Sequence, residues 1–386
     1  MLIIALIFVT SLIIMLTLSQ RSLPLAIICG AIILCLSSQA PIYTLVTSAG
    51  ILLDMDIILL ALALAEIPII GKILEHKLRE FFEGMSSKYA SMLGPALIGL
   101  LPLPGGALLS CPIVEKAMPS NDRPRLVATN IWFRHILFLV YPLSPALIIA
   151  TKIAGICITS AMLAMLPIFG CSLIIGYILY VPKGTTESHP LQRSLGGILI
   201  IMLAPAIQIA LRVLGFGIGA STFIAVSLAL MIATLYQHIG LQDILRVSRE
   251  MNVWEFSFIL LAIVFYASVF SLTPIPRMIK CAELSVLVLC SVIPFLLGFA
   301  TGRVQLVLAI TIPIVLYSYV MSIGLFVAIY CSALAGYLIS PAHPCLTLSS
   351  RYFRSSLAKG MLRLLPSSMS LAILGTLYGF FLLTSL

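Results

Sequence analysis

The chain has 386 residues, of which 61% are hydrophobic and only 9% are charged, and its formal net charge is +9. Soluble domains carry roughly 25% charged residues, so this composition predicts a polytopic membrane protein and excludes a sizeable soluble domain. The basic residues are spread along short loops without an arginine-rich stripe, which argues against nucleic-acid binding, and cytoplasmic loops of membrane proteins are usually basic.

Apolar segments long enough to cross a bilayer recur along the whole chain. The first, at 2–18, has no basic residues before it and no small-residue cleavage site after it, so we interpret it as a span rather than a signal peptide. A polar connection follows at 39–53, and segments 75–85 and 241–251 are amphipathic, the first predicted to lie on the membrane surface. Ten spans are predicted, at 2–18, 23–36, 57–74, 126–150, 156–181, 195–213, 217–236, 253–270, 324–339 and 367–386.

The stretch from Leu101 to Pro112, LPLPGGALLSCP, cannot form an ordinary spanning helix. Its prolines remove backbone donors and its paired glycines add flexibility, while the apolar arms on either side are about half as long as a bilayer requires. We therefore predict a re-entrant hairpin at 91–118, and a second at 283–317 around the sequence FATG. Non-helical backbone at membrane depth persists only where protein buries it or water reaches it, so both tips are candidate binding sites.

Several landmarks recur at offsets of 192 to 196 residues and predict an internal duplication. They are the first span of each half, Pro102 and Pro294, and the tripeptide Ser-Pro-Ala at 144–146 and 340–342. Residues 1–181 and 195–386 would each hold five spans and one hairpin, joined by a linker at 182–194, and five spans make the second half inverted. With both hairpins re-entrant, 16 basic residues fall on one side and 4 on the other, which predicts that the basic side is cytoplasmic and both termini are outside.

Four broken elements form the predicted site, namely the tips at 104–110 and 299–303 and the helix breaks at 141–146 and 340–344. Broken helices place their N-termini near the midplane, where they favour an anion, and their C-terminal carbonyls can hold a cation. The alternative is that these are proline kinks in a packed bundle. The substrate-binding residues predicted in these elements are Pro104, Gly105, Gly106, Ser110, Ser144, Thr301, Gly302, Arg303, Ser340 and His343.

A polar group inside the span 126–150 completes the predicted site. Arg134 and His135 lie well within the span, with Asn130 one turn earlier on the same helix face. An arginine at mid-bilayer costs about 2.5–3.5 kcal/mol, so Arg134 should face the protein interior. It would either contact the substrate or form a structural ion pair with Glu66. Glu66 is alternatively a coupling carboxylate, and His343 is a candidate proton carrier.

The sequence lacks the common motifs of several enzyme and pump classes. It contains no G-x-S-x-G, H-E-x-x-H or G-x-x-x-x-G-K-[ST] motif, which argues against a hydrolase, a zinc protease and an ATP-driven pump. The nine cysteines show no CxxC or Cys/His spacing, so neither a metal site nor a cofactor is predicted.

Three segments resemble the prokaryotic integral-membrane family called domain of unknown function 401, over nearly the whole chain. They read LPLPGGALLSCPIVE, NIWFRHILFLVYPLSPALI and ISPAHPCLTLSSRYF. That family is similar to the ion-transporter superfamily, with its gluconate, citrate and C4-dicarboxylate permeases. The resemblance implies an inverted-repeat secondary transporter whose two hairpin tips meet at the substrate. It implies no particular substrate, and the Ser-Asn-Thr sodium motifs of the dicarboxylate carriers are not evident in either tip.

These patterns together predict an all-α secondary transporter of the prokaryotic plasma membrane. It would move a small anion, with a carboxylate as the first candidate, coupled to H⁺ or Na⁺ by alternating access. Its partners would be that anion and the lipid bilayer, without nucleic acid, and by analogy a second copy in a homodimer. Two alternatives stay open: a cation/proton antiporter centred on Glu66 and His343, and a non-transporting membrane enzyme or assembly factor.

Overall fold

The computed structural model describes residues 2–37, 42–83, 89–100, 106–181, 196–281 and 284–384, and all regular structure in these ranges is helical. The helices of the first half are α1 (Leu2–Leu18), α2 (Leu23–Ser37), α3 (Tyr43–Gly50), α4 (Met55–Glu83), α5 (Ala90–Gly99), α6 (Gly106–Ala117), α7 (Arg123–Ile136), α8 (Pro145–Ala154) and α9 (Ile158–Tyr180). Those of the second half are α10 (Gly196–Val213), α11 (Ile218–Tyr236), α12 (Leu241–Glu250), α13 (Glu255–Leu272), α14 (Ile275–Cys281), α15 (Ile293–Thr301), α16 (Val304–Ser318), α17 (Ile323–Leu338), α18 (Pro344–Tyr352) and α19 (Leu357–Thr384).

Six of the described helices are both long and apolar enough to cross a bilayer, namely α4, α9, α10, α11, α13 and α19. Further apolar helices of 10–17 residues, among them α2, α5, α8, α16 and α17, accompany them. The chain is therefore a multi-pass helical membrane protein. The total of ten spans stays a prediction, because the shorter helices do not reach the length that a single crossing needs.

One local prediction is wrong. The segment 75–83 does not form a separate surface helix but continues α4, and the ion pair between Lys72 and Glu75 (2.9 Å) bridges the expected boundary. No glycine or proline stands at that boundary to end the helix. The connection predicted at 39–53 contains the helix α3, followed by a 3₁₀ turn at Ile51–Leu53. The amphipathic segment at 241–251 does form a helix, α12, none of whose residues is buried.

Both predicted hairpins are pairs of packed, short helices. The first pair is α5 and α6, of 10 and 12 residues, and the residues that join them, 101–105, lie outside the described ranges. The predicted site residues Pro104 and Gly105 are therefore among those not described. The second pair is α15, preceded by a π turn at Val288–Val292, and α16, and they meet at Gly302, whose positive φ of 61° suits glycine.

Contacts made by α5 to α9 recur 199 residues later in α15 to α19. A Cβ at Gly99 would lie 2.4 Å from the carbonyl oxygen of Arg134, and one at Gly298 would lie 2.5 Å from that of Ala333. Both glycines thus let one helix of a hairpin approach the backbone of the helix that follows the hairpin. Identical residues at this offset are Pro95/Pro294, Gly99/Gly298, Pro145/Pro344, Pro167/Pro366 and Gly176/Gly375.

The tripeptide Ser-Pro-Ala, in contrast, was a misleading landmark. Ser144 is the N-cap of α8 and Pro145 its first residue, whereas Ser340 follows the end of α17. The helix that corresponds to α8 is α18, which begins at Pro344 after the N-cap His343. Pro145 and Pro344 are therefore the equivalent residues, because each stands at the first position of its helix, where the missing N–H costs nothing.

The two halves pack into each other rather than side by side. Helix α4 of the first half packs on α11 of the second, and α13 of the second half packs on α2 of the first. In the same way α8 packs on α16, and α18 packs on α6. The beginnings of α6, α8, α16 and α18 all lie around one cavity.

Candidate functional site

A partly open cavity of about 300 Å³ lies where the two halves meet. Its wall includes the end of α5 at Gly99 and Leu100, and residues of α7, α13 and α17. Volumes of roughly 300–1,000 Å³ are usual for small-molecule sites, so this cavity can hold a small ligand.

Besides α13, which begins at the lining residue Glu255, four helices start at this cavity. Gly106 begins α6, Pro145 begins α8, Gln305 lies in the first turn of α16, and Pro344 begins α18, and all four residues line the wall. The N-cap residues of α8, α16 and α18 make no side-chain cap hydrogen bond, so the first N–H groups of these helices are not satisfied by their own caps. Convergent helix N-termini give the cavity a positive potential.

Two arginines add full positive charges to the same wall. The side chain of Arg134 is buried, and its guanidinium donates a hydrogen bond to the carbonyl oxygen of Gly106 (3.0 Å), which ties α7 to the start of α6. Arg303 is the N-cap of α16 and is partly buried. Neither arginine forms an ion pair with a described residue. Among the described lining residues the one carboxylate is Glu255, so positive charge dominates the cavity.

A cluster of aromatic and imidazole rings borders the cavity between α7 and α17. Nδ1 of His135 donates to the carbonyl oxygen of Ile131 (2.7 Å), which leaves Nε2 of the neutral ring as the acceptor for the Tyr337 hydroxyl (3.3 Å). The ring of His343 packs on Tyr337, with 3.9 Å between centroids, and lies edge-on to His135, with 4.8 Å between centroids. His343 is fully buried behind the wall and does not line the cavity.

The cluster also brings potential metal ligands together. A ring nitrogen of His135, a ring nitrogen of His343 and the Sγ of Cys345 all lie within 4.8 Å of one another. Imidazole nitrogens and thiolates are the usual ligands of zinc and other late first-row metals. The sequence did not point to such a site, because His135 is more than 200 residues away from the other two.

Of the predicted site residues, Gly106, Arg134, His135, Ser144 and Arg303 line the cavity. The others that the structure describes support it from behind. The Ser110 hydroxyl donates to the carbonyl oxygen of Ala107 (3.2 Å), and Asn130 donates to the Ser349 hydroxyl (2.8 Å), joining α7 to α18. Thus Asn130 holds two helices together, whereas Ser110 bonds within α6, and both lie removed from the cavity surface.

The second tip and the second break are packed against each other. A Cβ at Gly302 would lie 2.6 Å from the carbonyl carbon of Ala342, so no larger residue fits between the tip and the break. The Thr301 hydroxyl accepts a hydrogen bond from the Arg303 backbone (3.1 Å), and the Ser340 hydroxyl accepts one from the Ala342 backbone (3.1 Å). These residues therefore shape the tip that presents Arg303 to the cavity.

Glu66 lies away from the cavity. Both of its carboxylate oxygens accept hydrogen bonds from the Ser227 hydroxyl (3.1 and 2.9 Å), which joins α4 to α11. The predicted ion pair between Glu66 and Arg134 is therefore wrong. Spacing along the sequence placed both residues inside spans but did not show that they face different neighbours.

Sequence reasoning missed several residues of the wall. Tyr337 and Cys345 flank the second helix break, and Gln305 is a polar residue in an apolar arm directly after Arg303, so a search for polar groups beside the breaks would have found all three. Glu255 begins α13, far along the chain from any break, and no local signal marks it.

A second cavity, of about 610 Å³, is larger but chemically different. It lies between α2 and α13 and is lined mostly by apolar residues, and the described lining residues include the starts of these two helices. Size alone does not make a binding site for a polar solute, and the smaller cavity with its convergent polar groups is the better candidate.

Comparison with known proteins gives a family and a fold. The family model described as "Protein of unknown function (DUF401)" matches residues 2–381. The fold is similar to that in the crystal structure of the Alcanivorax borkumensis YdaH transporter, with a TM-score of 0.55, 13% sequence identity, and coverage of 89% of this chain and 88% of that one. No curated protein sequence matches the chain significantly.

Proposed function

The chain belongs to the DUF401 family, and from its architecture we propose that it is a secondary active transporter for a small anion. A carboxylate is the first candidate for the transported anion, carried across the prokaryotic plasma membrane together with H⁺ or Na⁺ by alternating access. Four helix N-termini and two arginines on the wall of one cavity carry this proposal. The fold shared with a protein described as a transporter supports it.

The charges of the cavity favour an anion. Each helix N-terminus acts as roughly half a positive charge, so four of them contribute about as much as the side chains of Arg134 and Arg303 together. The single carboxylate of the described wall, Glu255, offsets only part of this. An arginine can hold a carboxylate through two parallel hydrogen bonds, which is why a carboxylate fits this wall better than a neutral solute.

The hairpin dimensions support re-entrant loops. At 1.5 Å per residue, helices of 10 to 15 residues such as α5, α6 and α16 span about 15–22 Å, less than a ~30 Å hydrocarbon core. Each pair can therefore enter the membrane and return on the same side. Their tips would then lie near the midplane, beside the cavity.

The recurrence at 199 residues supports two repeats, 1–181 and 195–386. The hairpin, the following helix and the proline-started helix occur in the same order in each half, and the glycine contacts between them recur. With five spans in each repeat, the second is inverted relative to the first and both termini lie outside. The two hairpins then enter from opposite sides, so each can open the cavity to one side of the membrane.

The first experiment measures anion transport directly. Purified protein in liposomes is tested for current or uptake with mono-, di- and tricarboxylates and inorganic oxyanions, under an imposed pH gradient or an imposed Na⁺ gradient. We expect flux with one anion class, driven by one of the two gradients. A complete lack of anion-dependent flux under both gradients would contradict the proposal.

Substitution of Arg303 tests the site itself. Arg303→Gln removes a charged hydrogen-bond donor worth roughly 1.5–3 kcal/mol, so the half-saturating anion concentration should rise about 10- to 100-fold. Arg277→Gln, on the exposed face of α14, is the matched control and should transport normally. Normal transport by a folded Arg303→Gln variant would remove the anion-site interpretation.

A further inference from the structure

We infer that His135, His343 and Cys345 form a binding site for a late first-row metal ion such as Zn²⁺, in the wall of the anion cavity. The three residues come from α7, from the second helix break and from the first turn of α18. Their ligand atoms lie within 4.8 Å of one another. Tetrahedral coordination with bonds of about 2.0–2.3 Å places ligand atoms roughly 3.4–3.7 Å apart, so side-chain movements of about 1 Å complete the geometry.

The hydrogen bonding of His135 prepares it as a ligand. Its Nδ1 donates to the Ile131 carbonyl oxygen (2.7 Å), so the lone pair of the neutral ring is on Nε2. Metal-binding histidines commonly have this arrangement, in which a backbone carbonyl orients the ring through the nitrogen that does not bind the metal. The Tyr337 hydroxyl lies 3.3 Å from the same Nε2. A metal bound to Nε2 would replace this hydrogen bond, and the hydroxyl would then lie close enough to contact the metal.

His343 supplies the second, independent observation. His343 is fully buried. The Leu338 backbone lies close to its ring, but neither ring nitrogen forms a hydrogen bond of normal length and angle with a described residue. A buried polar group without a partner costs about 1–3 kcal/mol, so such groups usually have a role. Coordination of a metal would satisfy one nitrogen of this ring.

The charge of Cys345 decides whether a cation is tolerated here. Arg134 and Arg303 line the same cavity and repel a divalent ion, so the site depends on the negative charge of a metal-bound thiolate. Cys345 is the second residue of α18, where the helix N-terminus favours that negative charge. Loss of the thiolate should therefore weaken binding more than loss of either imidazole.

Cobalt(II) is a suitable probe because a thiolate ligand gives it a charge-transfer absorption band. Chelator-treated protein in detergent, without any carboxylate, is titrated with Co²⁺ and then with Zn²⁺. We expect one equivalent of Co²⁺ with a thiolate band that Zn²⁺ removes. The band should disappear in Cys345→Ser. In His343→Gln the Co²⁺ affinity should fall about tenfold or more. The band should persist in the control Cys171→Ser, whose thiol is exposed on α9.

The unaltered protein provides a test that does not depend on the folding of variants. Zn²⁺ should protect Cys345 from alkylation, as read by mass spectrometry, while the exposed Cys157, just before the start of α9, continues to react. Absence of a thiolate band, a band that survives Cys345→Ser, or unchanged alkylation of Cys345 would overturn the inference. None of these measurements requires transport, so failure of the metal site and failure of the proposed anion transport are distinguished.

Discussion

Gly99 lies directly against the backbone of Arg134, and a Cβ at Gly99 would be only 2.4 Å from the Arg134 carbonyl oxygen. This contact sets the distance between α5 and α7. From the same position on α7 the guanidinium of Arg134 reaches the Gly106 carbonyl oxygen (3.0 Å), across the hairpin. The glycine thus determines where one of the two cavity cations stands relative to the first hairpin.

Gly99→Ala should separate α5 from α7 and misplace Arg134. The Arg134 backbone cannot move aside as a flexible side chain would, so the added methyl group should lower the free energy of unfolding by about 1–3 kcal/mol. Both the unfolding temperature and the affinity for the anion should fall. Thermal unfolding in detergent and the liposome assay measure the two effects. The control is Gly170→Ala on α9, where a Cβ meets no atom within 4 Å, and it should be neutral or slightly stabilising. Equal behaviour of the two variants would contradict the packing role of Gly99.

Much of the fold follows from local sequence features. Apolar segments and prolines predicted most of the helices, the two pairs of short helices and the breaks before Pro145 and Pro344, because proline and chain length act within a few residues. Position along the chain placed Arg134 inside a span and Arg303 directly after the second hairpin tip. Both arginines line the cavity, in keeping with the cost of placing an unpaired charge against lipid.

The rest of the site depends on contacts between distant helices. His135 contacts Tyr337 and His343 across more than 200 residues of sequence, and Glu255 reaches the cavity from the start of α13. Asn130 was predicted to contact substrate, but it donates to Ser349 on α18. A single sequence shows which residues share one face of a helix, but it does not show which other helix packs against that face. These neighbours therefore could not be predicted.

Glu66→Gln distinguishes the anion carrier from the cation/proton antiporter. Glu66 binds Ser227 and does not line the cavity, so anion flux in the variant should stay within about twofold of the unaltered protein. Glutamine retains an acceptor for the Ser227 hydroxyl, which keeps α4 and α11 joined. The measurement is anion flux together with proton release on addition of Na⁺ or K⁺ to liposomes. A cation-driven proton flux that Glu66→Gln abolishes would favour the antiporter instead.

Asp56 joins three helices from both halves of the chain. Its carboxylate pairs with Lys152 at the end of α8 (2.6 Å) and accepts the backbone N–H of Gly219 at the start of α11 (2.6 Å). Asp56→Asn removes the charge from both contacts and should destabilise the protein by roughly 1–3 kcal/mol, seen as a lower unfolding temperature. Asp243→Asn, which breaks an exposed pair with Arg246 on α12, is the control and should change stability by less than about 0.5 kcal/mol. A smaller effect for Asp56→Asn than for the control would show that the three-helix contact contributes nothing.

The exposed Cys157, in the connection between α8 and α9, should react as a thiolate at neutral pH. Burial alone would raise its pKa, but the Thr159 hydroxyl (3.3 Å), the Arg212 guanidinium (3.4 Å) and the backbone N–H groups of Thr159 and Ser160 outweigh it, and the pKa falls to about 6. Since the thiolate forms as pH rises through the pKa, alkylation should increase between pH 5 and 7 and then level off.

Arg212→Gln removes one of these donors and should shift that rise in the alkylation rate to higher pH, so the variant reacts more slowly at pH 6.5 and about equally at pH 9. Mass spectrometry of the modified peptide reads the rate, and Cys157→Ser confirms which thiol is labelled. Because Arg212 is at the end of α10 and Cys157 at the start of α9, the altered profile would also report the contact between the two halves. A rate that rises through pH 8–9 in the unaltered protein, unchanged by Arg212→Gln, would show that this contact does not exist in the membrane.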